Sequence, residues 1–275
     1  MMRSCVTLSL VPEARGGPFV FWDDLPSACQ KARELGFDAI EIFAPSAQSL
    51  NAQQLRQWLD EHGLRLAALG TGAGWVRQRL SLSNADASIR QRACDFVRSL
   101  VDLAGQFSAS AIIGSMQGRY GDGITRNQAL AFLAESLQQL GEHAAQYAVP
   151  LLFEPLNRYE TNLVNSVADG LRLLQSVGSP NVKLLCDLFH MNIEEENLAA
   201  ALRSAGQSLG HIHLVDSNRR PAGCGHIDYR PIAAALREIH YSGYLSAEAL
   251  PYPDSDQAAR LTMDAYRRFF LDYNA

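Results

Sequence analysis

Each of four short apolar runs in this chain ends at an ionisable residue: Glu154, Asp187, His213 and Glu248. Successive members of this set are separated by 33, 26 and 35 residues. A β-strand, an α-helix and their two connecting loops take roughly 30 residues, so the spacing is that of a repeated βα unit. A barrel built on this repeat would bring all four residues to one face, at the carboxyl ends of its strands.

Strand-like and helix-like segments alternate along the whole chain. The strand candidates are residues 6–11, 39–43, 65–69, 111–114, 151–154, 182–187, 211–215 and 244–248. The helix candidates are residues 25–35, 52–62, 87–105, 127–147, 167–177, 198–205, 231–239 and 256–270. Eight strands each followed by a helix predict an α/β fold, a (β/α)8 TIM barrel. The alternative is a doubly wound open sheet, but no GxGxxG follows the first strand.

Length and composition narrow the class of protein. The 275 residues suit one barrel domain of about 250 residues, so residues 1–275 are predicted to form a single domain. The net charge is −5 and no basic run is present, which disfavours a nucleic-acid partner. No apolar segment approaches the ~20 residues of a membrane span, so no membrane partner is expected. Five scattered cysteines without a CxxC pair, and no signal-peptide pattern, predict reduced thiols in a cytoplasmic protein.

Two glutamates, an aspartate and a histidine that converge form a candidate metal site. Oxygen ligands with one imidazole suit Mn²⁺, Mg²⁺, Co²⁺ or Fe²⁺ better than structural zinc. Such an ion can polarise a carbonyl or hydroxyl oxygen and stabilise an enediolate. A carboxylate on each side of the substrate can then remove and return a proton. Glu154 and Glu248, from the fifth and eighth predicted strands, are the candidate pair for this role.

Each residue of the set also has an ordinary interpretation. A single glutamate at a strand end is usually a solvated loop residue, and Asp187 alone could cap a helix. His211 shares a strand face with His213 and is predicted to pack one layer deeper, as a structural residue. The joint, periodic placement of all four residues is what favours the metal site.

Further polar residues follow the same strands in predicted βα loops. Glu160 lies six residues after Glu154, His190 three after Asp187, and Arg219 six after His213. A substrate with several hydroxyl groups needs such donors and acceptors. Trp22 and Trp75, in the loops after the first and third strands, could wall the pocket or serve the core.

These motifs resemble those of the xylose isomerase-like barrel superfamily, and most closely its sugar epimerases of the D-tagatose and D-psicose 3-epimerase type. The resemblance is carried by the run from Glu154 to Tyr159 (EPLNRY) and the run from Asp187 to Glu195 (DLFHMNIEE). It extends to His213, which is followed by Asn218 and Arg219, and to Glu248. The match is specific from about residue 151 to residue 248.

The resemblance implies a role for each matching residue. It implies that Glu154, Asp187, His213 and Glu248 bind one divalent ion, with Mn²⁺ as the first candidate. It implies that Glu154 and Glu248 also exchange the proton at the epimerised carbon of a small sugar. It further implies that Glu160, His190 and Arg219 contact this sugar. Whether the chain forms a homo-oligomer is left open.

The chain departs from the ketose epimerase pattern in regions that select the substrate. Glu248 is followed by Ala-Leu, where those enzymes usually have Pro-Phe. The loops over residues 12–21, 70–75 and 116–123 also differ. Because loops set substrate choice on this fold, a keto-glycoside epimerase and an inosose isomerase stay open beside a ketose 3-epimerase.

Two functions from other classes are alternatives to an epimerase: a nuclease and a sugar-binding barrel without catalytic activity. An endonuclease IV-type enzyme shares the barrel but needs three zinc ions and more histidine ligands. The chain has seven histidines, and none ends the third or fourth predicted strand. A barrel that binds sugar without turnover is disfavoured because both candidate catalytic glutamates are present.

Overall fold

The computed structural model describes residues 1–121 and 123–271. Within them, eight parallel strands pair in chain order, and the eighth pairs with the first to close a barrel. A two-residue strand, Phe21–Trp22, also pairs in parallel with the first strand and completes a nine-stranded sheet. The strands are β1 (Arg3–Ser9), β2 (Ala39–Phe43), β3 (Arg65–Gly70), β4 (Ser110–Ile113), β5 (Leu151–Phe153), β6 (Val182–Asp187), β7 (Leu209–His213) and β8 (Tyr244–Ala247). The predicted (β/α)8 TIM barrel is confirmed. The prediction of one domain over residues 1–275 stays a prediction, since residues 122 and 272–275 lie outside the described residues.

Helices follow the strands around the barrel. They are α1 (Leu25–Leu35), α2 (Ala52–His62), α3 (Ala73–Gln78), α4 (Ala87–Gly105), α5 (Arg126–Ala145), α6 (Val167–Val177), α7 (Leu188–Glu194), α8 (Leu198–Ala205), α9 (Tyr229–Glu238) and α10 (Ser255–Tyr266). Many begin after a short polar residue whose side chain accepts a hydrogen bond from a backbone N–H group of the first turn. Asp24 does so for α1 and Asn51 does so for α2. The alternation of longer elements in the sequence does not predict α3, which begins two residues after β3, or α7, which directly follows β6.

The apolar residues of the strands and helices form one large buried core around the barrel. A separate buried cluster comes from four neighbouring strands and consists of Ala68, Ile112, Leu152 and Leu185. The alternating strand residues therefore face two different environments, as a parallel barrel requires. This packing fixes the strand ends, and with them the side chains that project from the carboxyl-end face.

Two predictions from composition can be compared with the described residues. The five cysteines form no disulfide there, and all except Cys224 are buried. No helix within residues 1–121 and 123–271 combines the length and the apolar character that a bilayer span requires.

Candidate active site

Four predicted site residues lie close together at the carboxyl ends of the four consecutive strands β5 to β8. Glu154 directly follows β5, Asp187 ends β6, His213 ends β7, and Glu248 directly follows β8. One donor atom from each of these side chains lies within 4.8 Å of the corresponding atoms of the other three. Glu154, Asp187 and His213 are buried. The repeated βα spacing therefore does place the four side chains together.

His213 stands at the centre of this four-residue cluster. Its Nδ1 atom lies 3.2 Å from Oδ2 of Asp187 and 3.3 Å from both Oε1 of Glu154 and Oε2 of Glu248. Oε1 of Glu154 is buried and makes no hydrogen bond within the described residues. A buried carboxylate oxygen without a hydrogen-bond partner is costly unless a cation or a proton compensates it. Three carboxylates, one of which carries this unpartnered oxygen, and one imidazole nitrogen fit a hard divalent cation.

The guanidinium of Arg219 neutralises part of the negative charge of the cluster. Its Nη1 donates to Oδ2 of Asp187 at 2.5 Å, and its Nη2 donates to Oε2 of Glu248. Burial opposes ionisation of Asp187, but Arg219 and His190 outweigh it and hold the pKa of Asp187 well below its usual range. Burial instead raises the pKa of Glu154 well above its usual range. The carboxyl groups of the cluster thus differ in their affinity for a proton.

Asn157 links two of the three predicted substrate residues. Its Nδ2 donates to Nδ1 of His190 at 2.7 Å and to Oε1 of Glu160 at 3.0 Å. Because Nδ1 of His190 accepts this bond, the ring carries its proton on Nε2. Nε2 lies 3.9 Å from Oε1 of Glu154 and 4.0 Å from Oδ2 of Asp187. Burial lowers the pKa of His190 to about 3, so its imidazole is neutral.

The location predicted for His190 is wrong in one respect. The sequence suggests a βα loop, whereas His190 lies in the short helix α7 and is buried. The cause is Asp187, whose Oδ1 accepts the backbone N–H groups of Phe189 and His190 and so starts a helix directly after β6. Glu160 and Arg219 do lie in βα loops, and both line the same cavity as His190.

Glu41 is a candidate site residue that the sequence analysis missed. It lies in the middle of β2 and is buried. Its Oε1 is 3.2 Å from Nε2 of His213, and its Oε2 is 2.9 Å from Nε2 of His211. His211 packs one layer below His213, as the sequence predicts. The available signal was a single acidic residue inside an otherwise apolar strand, AIEIF.

A cavity of about 470 Å³ opens over the cluster. Glu160, His190 and Arg219 line it on the polar side, and Phe19, Phe43, Trp75 and Val76 provide an apolar wall. This size is typical of a pocket for a small molecule.

Close packing shapes the apolar wall. The ring of Phe19 stacks on that of Phe43, with centroids 4.8 Å apart. A Cβ atom on Gly70 would meet the Phe43 ring at 2.8 Å, so this glycine makes room for it. Trp22 packs edge-on against Phe19, with centroids 5.5 Å apart, and is not part of the cavity lining that the described residues form.

The turn that carries Arg219 is organised by Asp216. The Asp216 carboxylate accepts the backbone N–H groups of Ser217, Gly223 and Ile227. Burial opposes ionisation of Asp216, but these hydrogen bonds prevail and lower its pKa. They also fold residues 223–227 back onto the turn, which keeps Arg219 at the edge of the cavity.

The chain matches the model of the xylose isomerase-like TIM barrel over residues 29–269. It is 31% identical over 242 residues to a D-psicose 3-epimerase of Agrobacterium fabrum, a match that covers 86% of this chain and 79% of that enzyme. It is 29% identical over 224 residues to a 3-dehydro-D-guloside 4-epimerase of Escherichia coli, which covers 78% of this chain and 83% of that enzyme.

A crystal structure of a D-allulose 3-epimerase from Methylomonas sp. in complex with D-allulose superposes with a TM-score of 0.82. It is 24% identical and covers 98% of this chain and 97% of that one, so it supports the fold alone. The curated relatives are epimerases, and the predicted isomerase class of enzyme is confirmed by them. The chain is therefore a member of the xylose isomerase-like TIM-barrel family.

Proposed function

We propose that this chain is a divalent-metal-dependent sugar epimerase of the ketose 3-epimerase type. The observation that carries the proposal is the cluster of Glu154, Asp187, His213 and Glu248, of which all but Asp187 line the cavity. The relatedness to sugar epimerases supports the same reaction class. The substrate is a small sugar, and no nucleic-acid or membrane partner is proposed. A cytoplasmic location and an undefined oligomeric state stay as predicted from the sequence.

The four residues of the cluster would hold one ion, with Mn²⁺ as the first candidate and Mg²⁺, Co²⁺ or Fe²⁺ as alternatives. When bound, such an ion supplies Lewis-acid polarisation of a substrate oxygen and stabilisation of enediolate charge. Oε1 of Glu154 supplies an oxygen ligand that has no hydrogen-bond partner in the described residues, and Nδ1 of His213 lies 3.3 Å from it. Mn²⁺ and Mg²⁺ prefer such oxygen-rich sites.

The two glutamates would perform the proton transfer. One carboxylate removes the proton from the carbon next to the substrate carbonyl, and the other delivers a proton to the opposite face. Inversion needs two groups because a single base tends to return the proton to the face that it left. Glu154 and Glu248 directly follow β5 and β8, and each places a carboxylate oxygen 3.3 Å from Nδ1 of His213.

The remaining polar residues would orient the sugar. His190 directs an Nε2–H group into the cavity because Asn157 occupies its Nδ1 atom. Glu160 presents a partly exposed carboxylate that can accept a sugar hydroxyl. Arg219 offers guanidinium N–H groups at the edge of the same cavity. A neutral donor, an acceptor and a cation together suit a substrate that bears several hydroxyl groups.

A second candidate is a keto-glycoside 4-epimerase. The apolar wall of Phe19, Phe43 and Trp75 favours it, because an aromatic surface can pack against a second ring of a glycoside. The Escherichia coli relative acts on a guloside, according to its name. No feature of the described residues favours an inosose isomerase.

The test of the proposed function is solvent exchange on a substrate panel. The Mn²⁺-loaded protein is incubated in D₂O with ketoses, keto-glycosides and inososes, and deuterium is located by NMR. Incorporation at C3 of a ketose, together with its epimer, is expected. Incorporation at C4 of a keto-glycoside would select the second candidate. No exchange with any of these sugars would contradict both, and three zinc ions per chain would instead support a nuclease.

A further inference from the structure

Glu41 makes contacts that the proposed reaction does not use. Its two carboxylate oxygens face two different histidines of β7, with Oε1 3.2 Å from Nε2 of His213 and Oε2 2.9 Å from Nε2 of His211. All three side chains are buried. Burial of a glutamate side chain inside a barrel costs free energy unless specific partners compensate its charge. The contacts of Glu41 with two histidines therefore indicate a specific role.

The two ring nitrogens of His213 face different carboxylates. Nε2 faces Glu41, whereas Nδ1 faces the carboxylates of Glu154, Asp187 and Glu248. A neutral imidazole carries one proton, and the nitrogen without it keeps a lone pair. If the proton lies on Nε2, which then donates a hydrogen bond to Oε1 of Glu41, the lone pair of Nδ1 is directed into the four-residue cluster.

We infer that Glu41 is a positioning residue that fixes the tautomer and the orientation of His213, so that Nδ1 is the nitrogen offered to the ion. This inference rests on the proposed metal site and adds a residue to it. Carboxylates that hold the second nitrogen of a ligating histidine commonly contribute 10–100-fold, in rough terms, to metal affinity. Glu41 does not enter the proposed proton transfer.

His211 contacts the second carboxylate oxygen of Glu41. Its Nε2 lies against Oε2, the carboxylate oxygen that His213 does not use. The His211 and His213 rings are edge-to-face, with centroids 5.6 Å apart. Oε1 of Glu41 is hydrogen-bonded to Nε2 of His213, whereas neither Oε2 of Glu41 nor Nε2 of His211 makes a hydrogen bond within the described residues. Contact with the buried His211 ring therefore restricts the rotation of the Glu41 carboxylate, and the hydrogen bond with His213 orients it. This explains why two histidines alternate on the same strand while one alone belongs to the four-residue cluster.

The test compares Glu41→Gln with the wild type by titration calorimetry with Mn²⁺. Both proteins should bind one ion per chain, and the dissociation constant should rise by about 10–100-fold in Glu41→Gln. The rise in Tm that saturating Mn²⁺ gives the wild type should shrink at the same ion concentration. Glu142→Gln, the same change on the exposed face of α5, is the matched control and should behave as the wild type.

A second measurement needs no substitution and covers the case in which Glu41→Gln does not fold. ¹⁵N NMR of histidine-labelled wild type loaded with diamagnetic Mg²⁺ should show His213 with its proton on Nε2. A proton on Nδ1 would overturn the inference.

The calorimetric outcomes separate the inference from the proposed function. An unchanged Mn²⁺ dissociation constant in folded Glu41→Gln, beside a wild type that binds one ion, would refute the inference alone. Two ions bound per wild-type chain would also refute it, because Glu41, His211 and His213 would then be ligands of a second ion. A wild type that binds no divalent ion would refute the proposed function and the inference with it.

Discussion

Asp187 serves the fold and the candidate site with different oxygen atoms. Oδ1 accepts the backbone N–H groups of Phe189 and His190 and so begins α7, while Oδ2 faces His213 and Arg219. The sequence suggests either a helix cap or a site residue at this position, and the structure shows the geometry of both. Substitutions can separate the two roles because an amide oxygen can still cap a helix but carries no charge.

Asp187→Asn and Asp187→Ala should therefore differ in stability but agree in function. We expect Asp187→Asn to keep the cap and lose most of the metal affinity. Asp187→Ala should lose both, with an additional destabilisation of about 0.5–2 kcal/mol from the missing cap. Urea unfolding of the metal-free proteins and Mn²⁺ calorimetry measure the two effects. Equal metal affinity in wild type and Asp187→Asn would exclude this carboxylate as a ligand.

Glu154→Gln and Glu248→Gln should each stop epimerisation, with a loss of about 10²–10⁴-fold in kcat. The physical reason is that inversion needs both carboxylates, one for each face of the enediolate. One of the two variants should still exchange the substrate proton with D₂O, because half of the relay survives. Glu142→Gln serves as the control for a carboxyl-to-amide change. Near-normal epimerisation by either variant would rule out the two-carboxylate mechanism.

The end of β4 shapes the space for the side chain of Glu154, a proposed catalytic residue. Gly114 directly follows β4, and a Cβ atom there would lie 2.5 Å from Oε2 of Glu154. The neighbouring Gln117 donates to the backbone carbonyl of Glu154 at 3.0 Å and so holds the start of the next loop. The Glu154 carboxylate thus depends on the absence of one methyl group on the adjacent strand.

Gly114→Ala should consequently displace the Glu154 carboxylate without unfolding the barrel. The clash involves the end of a side chain, which can move. The backbone at Gly114, with a φ of −108° and a ψ of −96°, lies outside the regions that an alanine favours, so a destabilisation of about 1–3 kcal/mol should accompany the displacement. We expect a loss of activity of at least about tenfold, which corresponds to a displacement cost of about 1.4 kcal/mol in the transition state. Steady-state kinetics and circular dichroism measure the two properties. Wild-type kcat in Gly114→Ala would show that Glu154 does not need this space.

The long elements were predictable from the sequence, and the short or isolated features were not. The strand β6 and the helices α1, α2, α4, α6 and α8 have the predicted bounds, because their apolar periodicity and flanking turn residues agree. The helices α3 and α7 contain six and seven residues, too few to show a helical period. Glu41 was missed because its partners lie in β7, and only closure of the barrel brings β2 and β7 to face one another.

The whole barrel determines how much charge the site must tolerate. Glu154, Asp187 and Glu248 come from three separate βα units, and Arg219 is the cation that pairs with two of them in the described residues. Carboxylates held this close repel one another unless a cation compensates them. A bound divalent ion should therefore stabilise the folded barrel as well as serve the reaction. The ion of the proposed reaction would thus also affect the stability of the entire molecule.

Removal of the ion should lower the stability of the whole chain and abolish its activity together. At a free ion concentration one hundred times the dissociation constant, binding stabilises the fold by about 2.7 kcal/mol, which corresponds to a Tm rise of about 5–10 °C for a domain of this size. We expect a chelator to remove this increment, and Mn²⁺ or Co²⁺ to restore both Tm and turnover.

Asp187→Ala provides the control for this prediction, because without this ligand its Tm should respond little to chelator or Mn²⁺. Differential scanning calorimetry with and without chelator, on both proteins, measures the increment directly. If the wild-type Tm and activity were unchanged after verified removal of metal, the cluster would be a buried acidic network held by Arg219 and by His213, whose pKa the surrounding carboxylates raise against the effect of burial. The buried, unpartnered Oε1 of Glu154 argues for the first outcome, since Arg219 pairs with Asp187 and Glu248 and leaves this oxygen without a hydrogen bond in the described residues.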